Sequence, residues 1–144
     1  MTAFCNGGRV AIFQGDIREL GKDILSVHPT KIHGVPSFWN NMYAEYKSQL
    51  SQGKDESELK KGFSQILGKR MKRIVTGGAM TSPKVFDFLS DIFPKASVFN
   101  AYGSTEAGGI STNGYIHGDV QWKICDVPEK NYYTSDMPNP RGEL

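Results

Sequence analysis

Several features that would assign this chain to a common class of protein are missing from its sequence. Its 144 residues include only two cysteines, Cys5 and Cys125, which form no Cys-x-x-Cys pair and lack metal-ligand spacing. We therefore expect two reduced thiols in a protein that faces the cytosol. The histidines, His28, His33 and His117, also lack the spacing of metal ligands.

Charge and hydropathy exclude further classes. The net charge is only +2, from 17 basic and 15 acidic residues, so the whole chain gives no electrostatic argument for a nucleic-acid partner. No apolar run approaches the roughly 20 residues that span a bilayer. Residues 1–8 lack the apolar stretch of a signal peptide. The sequence thus predicts a globular chain with no nucleic-acid partner and no transmembrane segment within it.

The order of the predicted elements indicates the fold. Predicted strands cover residues 9–13, 31–35, 73–76, 97–101 and 120–127, and residues 141–144 read as a turn that enters another strand. Predicted helices cover residues 16–27, 36–50, 59–67 and 83–92, and residues 108–118 read as flexible. Alternating strands and helices predict an α/β fold, a mostly parallel sheet with helices on its faces.

Local signals set the helix boundaries. Asp16, with Glu19 three residues later, has the spacing of a capping box. His28 precedes a proline and ends that helix, because proline disfavours helical backbone in the residue before it. Ser82 followed by Pro83 is a good cap and first turn.

Two loops carry residues suited to a ligand. Thr76–Met80 contains Gly77 and Gly78, which allow the backbone to approach a flat ligand or to adopt positive φ. The alternative is a tight turn that needs glycine for geometry alone. Both this loop and the next one follow predicted strands, where ligands bind in open parallel sheets.

The second loop combines four kinds of chemistry. The Tyr102 ring offers a stacking surface, Ser104 and Thr105 offer hydroxyls to phosphate oxygens, and Glu106 offers a hard oxygen ligand for Mg²⁺. The alternative is an exposed turn with a helix cap. No Gly-Lys-Ser/Thr run and no Gly-x-Gly-x-x-Gly run occurs, which excludes a P-loop and a dinucleotide fingerprint.

These motifs resemble a known family. Tyr102–Glu106 is similar to the Tyr-Gly-x-Thr-Glu motif of the adenylate-forming (AMP-binding) family, and Thr76–Ala79 is similar to its Gly-Gly-Ala loop. Two further stretches resemble acyl-CoA synthetases, long-chain members especially: residues 28–39, and residues 126–129 with 138–143. The resemblance covers nearly the whole chain, and it implies that residues 1–144 are part of a larger AMP-binding domain.

The resemblance also implies roles for residues. Gly77, Gly78 and Ala79 would lie against adenine and the acyl pocket, and Tyr102 would pack on the adenine. Thr105 would contact the AMP phosphate and Glu106 would hold Mg²⁺, so these two would be the catalytic residues. The rest of the implied nucleotide-binding set is Asn100, Ala101, Gly103 and Ser104.

The implied activity is that of a long-chain-fatty-acid–CoA ligase, which uses ATP to adenylate a fatty acid and then forms a thioester with coenzyme A. Its implied location is the cytoplasm or the cytosolic face of the endoplasmic reticulum or a peroxisome, with peripheral membrane association allowed. The family's phosphate loop with its lysine, its ribose-binding aspartate and its lysine-bearing small domain do not occur in this sequence. We therefore expect no turnover from this chain alone.

Alternatives remain open at this point. The chain could be a non-catalytic remnant that binds nucleotide, or part of an adenylation domain for another carboxylic acid. Phe38 and Trp39 could wall the acyl site or simply pack in the core. The lysines and arginines between residues 60 and 73 could meet anionic lipid or the phosphates of coenzyme A, or form a solvated helix face.

Overall fold

A computed structural model describes residues 2–5, 7–12, 14–16 and 18–144. Its helices are α1 (Thr2–Cys5), α2 (Leu20–Val27), α3 (Pro36–Ser51), α4 (Glu56–Gln65) and α5 (Pro83–Ile92). Its strands are β1 (Lys31–Gly34), β2 (Arg73–Gly77), β3 (Ser97–Ser104), β4 (Gly108–Thr112) and β5 (Tyr115–Ile116). A short 3₁₀ turn covers Pro128–Lys130.

The five strands form one sheet in the order β1-β2-β3-β4-β5. β1, β2 and β3 are parallel, whereas β4 and β5 continue the sheet as antiparallel strands. The connections between the parallel strands pass through α3 and α4, and then through α5. The predicted α/β class, with a mostly parallel sheet and packed helices, is therefore confirmed.

The pleat of the sheet separates two faces with different environments. Ile32, Ile74 and Val98 are register neighbours on one face, and all three belong to or pack against the helical core. Because side chains alternate along a strand, the residues between them point the other way. We call the first side the helix face; His33, Val75, Gly77 and Ala101 lie on the opposite side.

The core is built from apolar residues at helical spacing. Its fully or nearly buried members on the helices are Ile24, Trp39, Met42, Tyr46, Leu59, Phe63, Val85, Phe88, Leu89 and Ile92. The ring of Tyr46 lies 5.4 Å from that of Phe63 and 5.1 Å from that of Phe88, centroid to centroid. Burying each such side chain contributes roughly 1.5–3 kcal/mol, so this aromatic contact joins α3, α4 and α5 firmly.

Polar side chains cap the N-termini of α4 and α5. Ser82 Oγ accepts a hydrogen bond from the Val85 backbone N–H at 3.4 Å, which confirms the predicted cap of α5. Asp55 caps α4 by accepting from the Glu58 N–H at 3.0 Å. These bonds satisfy backbone donors that have no partner within the helix.

Two of the basic residues between positions 60 and 73 form structural contacts. The Arg70 guanidinium donates to the carbonyl oxygens of His28 at 2.8 Å and Val27 at 3.2 Å, at the C-terminus of α2. A cation there also complements the helix dipole. Lys60 pairs with Glu56 at 3.1 Å and Asp91 at 2.9 Å, which links α4 to α5 and raises the pKa of its ammonium group. The Asp91 hydrogen bond is the larger cause.

The N-terminal predictions are wrong in two respects. Residues 9–12 are exposed and irregular rather than a strand, because no neighbouring strand pairs with them; Phe13 lies outside the described residues. Asp16 does not cap α2, since its carboxylate binds the backbone and guanidinium of Arg18, at 3.0 and 2.7 Å. Arg18 and Glu19 therefore lie in a turn, and α2 begins at Leu20; Ile17 lies outside the described residues.

The C-terminal third also differs from expectation. The predicted loop 102–106 is partly strand, because β3 continues through Ser104 and pairs with β4. The predicted flexible segment 108–118 contains β4 and β5, which pair with each other. The predicted strand 120–127 is not formed. Only isolated bridges occur, Cys125 with Glu143 and Val127 with Tyr132, so residues 141–144 do not enter a full strand either.

Candidate functional site

A shallow concavity of about 320 Å³ lies at the carboxyl ends of β1, β2 and β3, on the side opposite the helix face. We call it the glycine concavity. Its lining residues are His33, Gly34, Val35, Val75, Gly77, Gly78, Ala101, Tyr102, Gly103 and Gly109. Five of the ten are glycines, on β1, β2, β3, β4 and the loop after β2, so backbone atoms form much of its floor.

Gly77 is required by the packing of the two central strands. It pairs with Ala101 in the β2–β3 ladder, and a Cβ at Gly77 would lie 2.7 Å from the Ala101 carbonyl oxygen. Glycine is therefore needed at position 77 for backbone geometry, as the alternative interpretation of this loop states. The same close approach leaves the backbone bare on the concavity side, which is what a flat ligand needs.

The loop after β2 is held at its base by two threonines. Thr76 Oγ1 and Thr81 Oγ1 are 2.5 Å apart, and both side chains are buried. Between them, Gly78 has φ of +86°, a backbone conformation that favours glycine, and Ala79 and Met80 are exposed. The loop thus presents Gly77 and Gly78 to the concavity and turns its next two residues towards solvent.

The motif Tyr102–Glu106 spans the end of β3 and a tight turn to β4. Ser104 Oγ accepts a hydrogen bond from the Ala107 backbone N–H at 3.1 Å, which closes the turn. The backbone N–H of Glu106, and then the Ser104 hydroxyl, lower the pKa of the Glu106 carboxyl, which is fully exposed. Glu106 is therefore an ionised, accessible carboxylate at neutral pH, in a strand-to-strand turn rather than at a helix cap.

The structure brings only some of the sequence-predicted residues together. Gly77, Gly78, Ala101, Tyr102 and Gly103 line the glycine concavity. The remaining predicted residues are not among its lining: Ala79, Asn100, Ser104, Thr105 and Glu106. The last three lie in or beside the turn beyond the concavity, at the end of the strand that carries Tyr102.

The described hydrogen bonds of Asn100 are made by its backbone. Its backbone N–H donates to Asn113 Oδ1 at 2.7 Å, and its carbonyl oxygen accepts from the Asn113 N–H at 2.7 Å. Asn100 is the register neighbour of Thr76 and so lies on the helix face. Its described contacts hold the β4–β5 turn against β3.

Sequence reasoning missed the contribution of β1. His33, Gly34 and Val35 line one side of the concavity, and His33 is the register partner of Val75. Partial burial, and secondarily the charge of Lys31, lower the pKa of the His33 imidazole, so the ring is predominantly neutral at pH 7. The signal that could have found it is topological, since parallel strands end at one edge of a sheet.

Phe38 and Trp39 are not among the lining residues of the concavity. Trp39 is completely buried in the core, and Phe38 packs edge-on against it at 4.7 Å. Phe38 also contributes to a second groove of about 530 Å³ between α2, α3 and α4. In the described structure these aromatics therefore act as packing residues.

The described part of the chain contains neither a cluster of metal ligands nor a membrane-spanning helix. In ranges 2–5, 7–12, 14–16 and 18–144, no three His, Cys, Asp or Glu side chains converge on one point. No helix in this part of the chain is both long and apolar enough to cross a bilayer. Glu106 would accordingly bind a metal ion as a single carboxylate, with other oxygens supplied by a ligand and water.

A parallel three-strand core with a bare-backbone concavity at its carboxyl edge defines an α/β nucleotide-binding type of domain. Residues 1–144 match the model of the AMP-binding enzyme family, and the chain belongs to that family.

Similar proteins fall into two groups. The chain is 31% identical over 151 residues to a carboxylic acid reductase from Mycobacterium tuberculosis, a match covering 96% of this chain and 13% of that protein. It is 32% identical over 171 residues to long-chain-fatty-acid–CoA ligase 6 from Rattus norvegicus, a match covering 93% of this chain and 24% of the ligase. This chain thus spans between about an eighth and a quarter of these relatives' length.

A solved structure is similar as well. The A–PCP didomain of carboxylic acid reductase from Segniliparus rugosus, in complex with AMP, matches with a TM-score of 0.81 and 30% identity. That match covers 92% of this chain and 20% of the didomain chain.

Proposed function

We propose that this chain forms one wall of the nucleotide site of an enzyme that adenylates a carboxylic acid with ATP. The observation that carries the proposal is the glycine concavity, which Gly77, Gly78 and Tyr102 line together at adjacent strand ends. Its lining contains no carboxylate or ammonium group, which suits an uncharged aromatic base. The similarity to a domain solved with AMP supports the same assignment.

Each part of the site would meet a different part of the nucleotide. The backbone of Gly77 and Gly78 would contact one edge of the adenine, and the half-exposed Tyr102 ring would offer it a stacking surface. The turn beyond Tyr102 would reach the phosphates, where the exposed Thr105 would donate a hydrogen bond. The sequence order of these residues thus follows the nucleotide from base to phosphate.

In the proposed reaction, a carboxylate oxygen of the acid attacks the α-phosphorus of ATP. A P–O bond forms to the acid, the α–β P–O bond breaks, and pyrophosphate leaves. Thr105 and nearby backbone amides would position the phosphates for this attack. The exposed, ionised Glu106 fits the single carboxylate that Mg²⁺ often takes beside substrate phosphates. Bound there, Mg²⁺ would offset charge on the phosphate oxygens.

We further propose that the acid is a long-chain fatty acid and that coenzyme A accepts the acyl group, releasing AMP. Similarity to long-chain acyl-CoA synthetases from Arabidopsis thaliana and Rattus norvegicus supports this choice. The second candidate is adenylation of another carboxylic acid, and it is favoured by the stronger similarity to carboxylic acid reductases, including the solved reductase domain at a TM-score of 0.81. Both candidates share the adenylation step and differ in substrate and acceptor.

The deciding experiment uses the complete product of the reading frame that encodes this segment. We expect acid-dependent exchange of pyrophosphate into ATP, with long-chain fatty acids preferred over aryl acids and amino acids, and an acyl-CoA product. Preference for another acid, or no thioester with coenzyme A, would select the second candidate. A full-length product that binds AMP but supports no exchange with any acid would make the chain part of a non-catalytic nucleotide-binding protein.

A further inference from the structure

A buried hydrogen bond between Thr76 and Thr81 lies close to the glycine concavity, but neither residue lines it. Thr76 is fully buried on the helix face of β2, and Thr81 is 7% exposed at the residue before the α5 cap. Their hydroxyl oxygens are 2.5 Å apart, and either can be the donor. Because an unpaired buried hydroxyl is costly, each threonine satisfies the other.

This hydroxyl pair closes a loop that has little else to hold it. Among the hydrogen bonds between described residues, it is the one that joins the two ends of segment 76–81. Gly77 is fixed on one side by the β2–β3 ladder, and the helix begins after the Ser82 cap on the other. Gly78, Ala79 and Met80 are exposed between these anchors.

We propose that Thr76 and Thr81 are a positioning pair that sets the shape of the glycine concavity and thereby its affinity for the nucleotide. This inference rests on the function proposed above. Neither threonine lines the concavity, so neither would touch the ligand. Their hydrogen bond fixes the separation between the end of β2 and the start of α5, and that separation determines where Gly78 lies.

The pair also explains why a loop with a positive-φ glycine can remain ordered. Gly78 loses much conformational freedom when its backbone is fixed at φ of +86°. A hydrogen bond formed in advance by the flanking threonines means that the ligand does not have to supply this ordering itself. Preorganisation of this kind increases affinity without adding a contact.

The test compares two substitutions at one position in the complete reading-frame product, labelled with ¹⁵N within this segment. Thr81→Val keeps the shape of the side chain and removes its hydroxyl, whereas Thr81→Ser keeps the hydroxyl. Thr112→Val is the matched control, because it removes the 3.1 Å contact of a threonine hydroxyl with His117 away from the loop. The readouts are the Kd for AMP, amide exchange at residues 77–80 and the thermal midpoint.

We expect Thr81→Val to weaken AMP binding by about tenfold, equivalent to about 1.4 kcal/mol, and to accelerate amide exchange at residues 77–80. Thr81→Ser and Thr112→Val should bind AMP like the wild type. If Thr81→Val does not fold, Thr81→Cys replaces it, since a thiol of similar size is only a weak hydrogen-bond donor.

Two outcomes overturn the inference. A lower thermal midpoint with unchanged Kd and unchanged loop exchange would show that the pair only stabilises the fold. An equal loss of affinity in Thr112→Val would show that the effect is not specific to the loop. A complete wild-type protein that does not bind AMP would instead overturn the proposed nucleotide wall, on which the positioning inference rests.

Discussion

The indole Nε1 of Trp39 donates a hydrogen bond to the Gly34 carbonyl oxygen at 3.2 Å, and its ring is completely buried. The contact is so close that a Cβ at Gly34 would lie 2.5 Å from Trp39 Cζ2. Trp39 belongs to the first turns of α3, and Gly34 is the last residue of β1. β1, the strand that carries His33 to the glycine concavity, therefore packs directly against the Trp39 ring.

Replacing Trp39 should destabilise the fold strongly. Trp39→Ala removes a fully buried ring and should lower the free energy of unfolding by about 3–5 kcal/mol. Trp122→Ala is the matched control, because Trp122 is 56% exposed, and we expect its effect to stay within about 0.5 kcal/mol. Urea unfolding measures both values. Similar losses for the two variants would contradict the assignment of Trp39 to the core.

Substitution of Gly77 should affect stability and binding together. The new Cβ of Gly77→Ala would meet the Ala101 carbonyl oxygen at 2.7 Å and push β2 away from β3. Overpacking of this kind costs about 1–3 kcal/mol, and AMP titration should show weaker binding.

Gly62→Ala in α4 is the matched control, and we expect it to change stability in the opposite direction. A Cβ at Gly62 would meet nothing within 4 Å. Gly62→Ala should therefore stabilise the helix by roughly 0.5–1 kcal/mol and leave AMP affinity unchanged. Destabilisation by Gly62→Ala equal to that of Gly77→Ala would show that strand packing is not the cause.

The Tyr102 ring should contribute to nucleotide affinity through stacking. Tyr102→Ala should weaken AMP binding by about 1–3 kcal/mol, the range found for base–aromatic stacking. Tyr102→Phe should retain most of the affinity. Tyr115→Ala removes an exposed tyrosine outside the concavity and should change nothing. Equal affinities for the alanine variants, measured by calorimetry, would remove the stacking role.

The cap of α4 should make stability depend on acid pH. The hydrogen bond from the Glu58 N–H, and then that from Ser57, lower the pKa of the Asp55 carboxyl below its ordinary 3.8. Its contribution to stability is thus present above about pH 4 and is lost as the pH falls through the lowered folded value. Asp55→Ala should lower the thermal midpoint at pH 7.

Asp55→Asn separates the cap from its charge. An asparagine oxygen still caps the helix but does not titrate. The variant should keep most of the thermal midpoint at pH 7 and lose the part of the acid dependence that belongs to residue 55. An acid profile identical to that of the wild type would assign the dependence to other carboxylates.

Capping residues, prolines and glycines in the sequence predicted those elements whose boundaries depend on neighbouring residues. Ser82, Pro83 and the apolar spacing of the following helix sufficed for α5, and the glycines that end β2 marked its boundary. Residues 120–127 have the composition of a strand but find only isolated bridges, because a strand needs a partner of matching length. The extension of β3 to Ser104 was missed because its partner β4 begins with two glycines, which read as a flexible segment.

The sequence predicted the lining residues of the concavity that belong to a local motif, but not those whose place depends on strand pairing. Gly77, Gly78 and Tyr102 were found because each belongs to a recognisable motif that follows a strand. His33 was missed because its place beside Val75 depends on β1–β2 pairing, which no local pattern records. The Thr76–Thr81 contact was missed for a related reason, because it depends on how sharply the intervening loop turns.

The nucleotide wall is tested most directly by titrating the complete reading-frame product, labelled with ¹⁵N within this segment, with AMP and following its backbone amide shifts. We expect shifts at His33, Gly77, Gly78, Tyr102 and Gly103, which line one concavity, and none at Gly53 in the α3–α4 loop. Absence of shifts, or shifts centred on the groove between α2, α3 and α4, would contradict the assignment of the glycine concavity as the nucleotide wall.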